Sequence, residues 1–280
     1  MGVLQLIGGG GGLSSPLTAD LNFATYKAVA MACDNGATLP TSPAPVNGQW
    51  FLHTPTGRKV LMMYDGSAWQ PIWNMGSTTM YVDGTSGSDS QNKGYGTGAN
   101  AFATIDYART QFPVNITANI YIYVAAGTYY SSGGTAPALT LDGVRPVSNT
   151  KVMFNGAYTE TASGTATSAT TTTLTKTGAG WGDMSKQMLA ITGNTGAGQF
   201  ATIESNTTDT ITIAGSWTTT PNSTSTFSVR NSTTEIRGSA VGAPTTPIAI
   251  AVLVNDSSNI EFRNFKISYG TVSGLKVASA

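Results

Sequence analysis

The chain has 280 residues with 14 basic and 14 acidic side chains, and only 10% of it is charged, against roughly 25% in ordinary soluble domains. Zero net charge without any cluster of lysine and arginine excludes a nucleic-acid binder, which needs a basic face to release counterions. Forty per cent hydrophobic residues exclude a disordered chain, while 33 glycines and long runs of Thr, Ser, Asn and Ala favour strands and turns over helices.

The length suits two or three domains. No uncharged apolar run approaches bilayer length, so membrane insertion is not expected. Residues Met1 to Ile7 lack the basic start and long apolar core of a secretory signal, which fits assembly in a cytoplasm followed by exposure on a particle. Cys33 is the single cysteine and cannot form an intrachain disulfide; among small residues it reads as a buried small hydrophobe. No cofactor is indicated. The Gly-rich Lys93 to Gly98 loop does not follow a strand and open a helix, as a phosphate cradle would. With one histidine, His53, and no Cys/His cluster there is no zinc site, and His53 reads as a strand surface residue.

In chain order, residues 1–40 open with the Gly8 to Gly12 run, which reads as a flexible tether. Ser14, Ser15 and Pro16 form a helix entry, and Leu17 to Cys33 is predicted as a short helix that stops near Asp34-Asn35-Gly36. Residues 41–78 read as an antiparallel β module. Gln49 to His53, Lys59 to Tyr64 and Trp69 to Trp73 are its strands, and Asp65-Gly66 is the strongest hairpin signal in the chain. Its aromatic residues Trp50, Phe51, Tyr64, Trp69 and Trp73 are candidates for an attachment surface or an intersubunit core.

The stretches Asn47-Gly-Gln-Trp50 and Tyr64-Asp-Gly-Ser-Ala-Trp69 resemble small modules of phage tail-fibre and baseplate proteins. A second resemblance follows in residues 79–162. Tyr81-Val-Asp83, Gly87-Ser-Asp89, Phe102-Ala-Thr-Ile105 and Val124-Ala-Ala-Gly-Thr-Tyr129 stand in the order seen at the entry of pectate-lyase-like right-handed parallel β-helices. The residues themselves read as a strand, a Gly/Ser loop, a short capping helix ended before Pro113, and a buried strand over 120–129.

Residues 163–230 read as an inserted β module of alternating strands and turns, including Thr172 to Lys176, Met188 to Thr192, Asp209 to Ile213 and Trp217 to Pro221. Its Gly196-Ala-Gly-Gln199 and Thr210-Ile-Thr-Ile213 stretches resemble a recurring barrel-like unit of phage fibre and tailspike chains. It either packs as a side module or grips glycans between Trp181 and Trp217. Residues 231–280 read as further rungs: Thr234 to Gly238, Ile248 to Val254 and Ile260 to Ile267, with Asn264 as a bend. The last stretch carries no polar cap, so a continuing chain or a covering subunit is expected.

The acids are few. Asp256 with Glu261, and Asp83 with Asp89, are the only neighbouring pairs considered for polysaccharide cleavage, with turn capping and loop ordering as their structural readings. Asp83 with Asp89 is also weighed as a calcium site.

The expected fold is therefore mostly β: a small N-terminal helix and β-hairpin attachment region, then a right-handed parallel β-helix carrying an inserted small β module. The resemblance implies a tail fibre or tailspike component of a virion, without catalytic function. It also implies a homotrimer whose partners are phage tail or baseplate proteins, with a host-surface glycan as a further ligand. The rival readings are a polysaccharide depolymerase, which needs an acidic cleft, and a bacterial β-helix adhesin, which needs export and anchoring signals.

Overall fold

The computed structural model describes residues 34–41, 44–54, 59–74, 76–130, 136–147, 149–240, 243–268 and 270–278. The predicted tether, the helix at Leu17 to Cys33 and the reading of Cys33 lie outside the described residues. The chain is mostly β, with parallel and antiparallel pairings both present.

Four strands, β1 (Asp34–Gly36), β2 (Trp50–His53), β3 (Val60–Tyr64) and β4 (Trp69–Asn74), form one sheet in sequence order. β1 lies parallel to β2 and the other pairs are antiparallel. The sheet therefore reaches back before residue 40 and draws in the Asp34-Asn-Gly stretch read as a stop. Alternation along the strands sends Phe51, Val60, Met62 and Trp69 to one buried face with Leu39. The Asp65 turn forms because its Oδ1 accepts the Ser67 and Ala68 amides at 2.8 Å each. Those bonds hold its carboxyl far below the usual carboxylate range. His53 is fully buried on the inner face, not at the surface as its sequence suggested, and its Nε2 lies 3.1 Å from the Ala37 carbonyl.

Beyond this sheet the chain runs through β5 (Thr78–Val82), a 3-10 turn at Gly98–Asn100 and α1 (Ile105–Thr110). It continues through β6 (Asn115–Ile116), β7 (Ile120–Val124), β8 (Gly127–Tyr130), β9 (Leu139–Asp142), β10 (Arg145–Pro146) and β11 (Val152–Gly156). The stretch 120–129, read as one strand, is thus two strands that meet at a corner. α1 starts at Thr104, whose hydroxyl accepts the Tyr107 amide at 3.1 Å. Its Ile105 and Ala108 are buried in the same core as Phe102 and Phe112.

The insert comprises β12 (Tyr158–Thr165), β13 (Ser168–Ala169), β14 (Thr173–Thr175), β15 (Met188–Gly193), β16 (Phe200–Asn206), β17 (Thr210–Ile213) and β18 (Thr226–Ser232). All seven join one antiparallel sheet with a separate core that includes Leu189, Ile191, Ile211, Phe227 and Val229. Trp217 is buried in that core within an irregular stretch, so the strand expected over 217–221 is absent. Its first and last strands pair from Tyr158↔Ser232 to Thr165↔Thr226, so the sheet begins before residue 163 and ends after 230. Entry and exit lie side by side, which lets the insert leave a single corner without parting the strands around it.

The chain then resumes with β19 (Thr234–Arg237), β20 (Ser239–Ala240), β21 (Ala243–Asn255), β22 (Ile260–Arg263), β23 (Phe265–Ser268) and β24 (Gly270–Ala278). β5, β7, β11 and β22 stack in parallel with Met80↔Ile122↔Phe154↔Phe262 aligned. β8, β19 and β23 do the same with Tyr129↔Ile236↔Ile267 aligned. β9, β21 and β24 form a third parallel set. Successive passes of the chain therefore visit the three sheets in the same order: β7-β8-β9, β11-β19-β21, then β22-β23-β24.

Two residues shape the corner between the first two sheets. Asn264 takes the left-handed conformation at φ 57°, which asparagine tolerates better than most residues, so the bend read at this position is a corner. Thr234 is buried, and its hydroxyl donates to the Ala125 carbonyl at 3.1 Å while accepting the Ala157 amide at 2.8 Å. That hydroxyl adds a side-chain bridge between main-chain groups of successive turns at the corner.

Candidate functional site

Of the five aromatic candidates, the structure brings Phe51, Trp69 and Tyr64 together. Their rings pack at 5.8 Å (Phe51–Trp69) and 5.4 Å (Tyr64–Trp69), so they build the module's own core. Trp50 points the other way and is 51% exposed. The Trp73 side chain lies outside the described residues. The outer face of the sheet is apolar as well: Trp50 pairs with Met63, Leu52 pairs with Leu61, and Ile72 is 38% exposed. A four-stranded sheet buried on one face normally turns polar residues outward. This face carries polar Asn35 beside Leu52 and Gln70 beside Met63 on its edge strands, and the apolar pairs between them are the part of the module suited to contact.

A second surface went unread as a site in the sequence. On the outward face of the first parallel sheet, Tyr81, Tyr123, Asn155 and Arg263 stand in one aligned row across β5, β7, β11 and β22. The Tyr81 and Tyr123 rings stack at 5.7 Å and 24°. Tyr158, at the start of the insert, is 41% exposed with the Arg230 guanidinium 4.5 Å from its ring centre. Tyr81, Tyr123, Asn155 and Tyr158 line an open cleft of about 430 Å³ together with Asp83 and Gly98. Tyrosine rings with hydroxyl tips beside an amide and a carboxylate offer flat apolar contact and hydrogen bonds together, the combination that an uncharged polyhydroxylated ring requires. The signal was present in Ile120-Tyr-Ile-Tyr-Val124, where period-two alternation sends both tyrosines outward. Nothing in the sequence places Tyr158 beside them.

Next to the cleft, Phe200 of the insert is held between two arginines. Arg263 of β22 lies 4.0 Å from its ring centre and Arg230 of β18 lies 5.5 Å from it. This contact joins the insert to the stacked strands, and the acidic residue behind it is Glu261. Glu261 pairs with Arg263, and with Lys151 at 3.0 Å. Burial pushes its carboxyl up, yet hydrogen bonds from Arg263 and Lys151 outweigh burial and leave it below the usual glutamate range.

A depressed folded-state pKa stabilises the protein above the ordinary glutamate value of about 4.3, and that contribution is lost as pH falls through the folded value. Glu261→Gln is therefore expected to lower the melting temperature at pH 7, by a margin that shrinks as the pH falls below the ordinary glutamate range. Parallel melting curves for both proteins across that range would remove Glu261 from the acid response.

The acids considered for chemistry already have partners. Asp256 pairs with Arg145 on the surface, and Glu261 is engaged as above. Asp83 Oδ1 accepts the Thr85 amide at 2.9 Å. Asp89 accepts the Ala103 and Thr104 amides at 2.8 and 3.0 Å. Their geometry is that of turn capping and loop ordering. Among the described residues no group of three or more His, Cys, Asp or Glu is placed to hold a metal ion, and no helix is long and apolar enough to cross a membrane.

No family model matches the sequence, and no curated protein does either. Among solved structures the chain is weakly similar to the Gp54 tailspike of Acinetobacter baumannii bacteriophage AP22, determined in complex with A. baumannii capsular saccharide. The identity is 11% and the TM-score 0.22, over 56% of this chain and 30% of that one.

Proposed function

We propose that this chain is the particle-proximal part of a phage tail fibre or tailspike, a structural component in which a right-handed parallel β-helix extends from an N-terminal attachment module. The observation that carries the reading is the common order in which successive passes visit three parallel sheets, with residues aligned from turn to turn. Such stacking makes a stiff rod from a polar, weakly charged chain, because every turn hydrogen-bonds to the next along its length. The N-terminal sheet docks on phage tail or baseplate proteins, and the tyrosine cleft contacts a host-surface glycan. The chain works by attachment rather than catalysis, consistent with acids that already serve turns and ion pairs.

In this reading three chains pack side by side. Light scattering over a dilution series is expected to give a concentration-independent mass three times the 28.9 kDa of one chain. A monodisperse monomer at every concentration would overturn the trimeric fibre.

A further inference from the structure

The tyrosine cleft contains one group that a neutral sugar does not use. Its tyrosine rings and the Asn155 amide serve the uncharged body of a sugar ring. Asp83 lines the same cleft and, among the described residues, is the only charged side chain that does. We propose that the cleft selects a sugar bearing a free amino group, whose ammonium is held by Asp83 while Tyr81 and Tyr123 pack beside it. This rests on the glycan reading of the cleft and adds the chemical class of sugar to it.

Asp83 has capacity to spare. Its Oδ1 accepts the Thr85 and Ser86 amides at 2.9 and 3.2 Å, which orders the turn after β5. Its Oδ2 makes no hydrogen bond among the described residues, and no lysine or arginine there pairs with it. A carboxylate oxygen without a partner at the wall of a cleft accepts best from a charged donor.

The rings favour the same ligand. The electron-rich faces of tyrosine attract cations, and this cleft already shows the effect: the Arg230 guanidinium lies 4.5 Å from the Tyr158 ring centre. Tyr81 and Tyr123 hold no such cation among the described residues, so their share of that attraction is open to a ligand.

Charge also sets a direction. In the sheet order β5-β7-β11-β22, Asp83 follows β5 at one edge and Arg263 stands on β22 at the other. Three strand spacings separate those edges, about 14 Å. Arg230 lies toward the Arg263 end, over the residue Tyr158 that follows β11. A cation is repelled from the arginines and drawn to Asp83, so the amine points toward β5.

Ligand-observed NMR on the full chain tests this with the methyl glycosides of glucosamine, N-acetylglucosamine and glucose, which differ only at C2. At slightly acidic pH, where the sugar amine is charged, the glucosaminide is expected to bind about fivefold to tenfold more tightly than the other two. That range lies between the yield of an exposed ion pair and that of a charge-assisted hydrogen bond. Asp83→Asn keeps a carbonyl oxygen for the Thr85 and Ser86 amides, so the turn is preserved. It is expected to remove the preference and leave glucoside binding unchanged. Equal binding of the three sugars, or a preference for the N-acetyl form, would overturn the amino-sugar inference and leave the glycan reading standing. A preference that survives in Asp83→Asn would overturn the role of Asp83. Failure of all three to bind would overturn the glycan reading and this inference with it.

Discussion

Phe154→Ala is expected to cost about 3–5 kcal/mol of stability, the range for emptying a buried phenylalanine site. Phe154 is fully buried on β11, aligned between Ile122 of β7 and Phe262 of β22. Its ring lies nearly parallel to that of Phe262, 4.9 Å between centres at 12°. Truncation removes an aromatic contact from the middle of a row of stacked residues, and the rows above and below are held by backbone hydrogen bonds that limit collapse into the space. Denaturant unfolding followed by hydrogen exchange should show early opening of β7, β11 and β22. The insert has its own core around Leu189, Ile211 and Phe227 and should keep its protection. Simultaneous opening of both would mean that the two cores form one cooperative unit. Tyr123→Ala, on the outward face of β7, serves as the control and should cost far less.

Gly156→Ala is expected to be clearly destabilising although it adds a single methyl group. A Cβ at Gly156 would sit 2.4 Å from the Asn264 carbonyl oxygen and 3.0 Å from Thr234 Cβ. The first neighbour is backbone in a corner residue that is itself buried. The clash can be relieved only by separating successive turns, at a cost of about 1–3 kcal/mol. The damage falls where the insert leaves the stack, so β22 and β12 should lose exchange protection together. Gly143→Ala provides the comparison. Gly143 has φ 61° but open space around its would-be Cβ, so only backbone strain of about 1–2 kcal/mol is at stake. A Gly156→Ala protein as stable as wild type would show that the corner is looser than its distances indicate.

Several elements were legible because their cause is local. Asp65-Gly66 between two apolar runs marks a hairpin, and the Asp65 side chain builds the turn from its own neighbours. Alternation in Ile120-Tyr-Ile-Tyr-Val124 separates a buried row from an exposed one. Thr104 ahead of Ile105 is a helix start, and Pro113 limits the helix that follows.

Other features depend on residues far apart in the chain. A lone histidine on a strand reads as a surface residue, yet His53 is buried on the sheet's inner face beside the Ala37 carbonyl. The five aromatic candidates divide because one strand sends Phe51 inward and Trp50 outward, and the inward side is the one that packs against Leu39, whose amide is held by Asn92 from far along the chain. The insert's first strand, Tyr158 to Thr165, is polar and mostly exposed, so it carries no hydrophobic signal. Its strand exists only because Thr226 to Ser232 returns beside it.

The sequence by itself determined the strand-rich character, the turn at Asp65 and the short helix after Thr104, since alternation, capping and turn chemistry act over a few residues. Tertiary structure alone decided which aromatic rings are core, how Tyr81, Tyr123 and Tyr158 meet in one cleft, and which acids are tied up in ion pairs. Those outcomes depend on strands from different passes of the chain lying side by side, and alternation within a strand says which residues share a face but not which other strand will complete it.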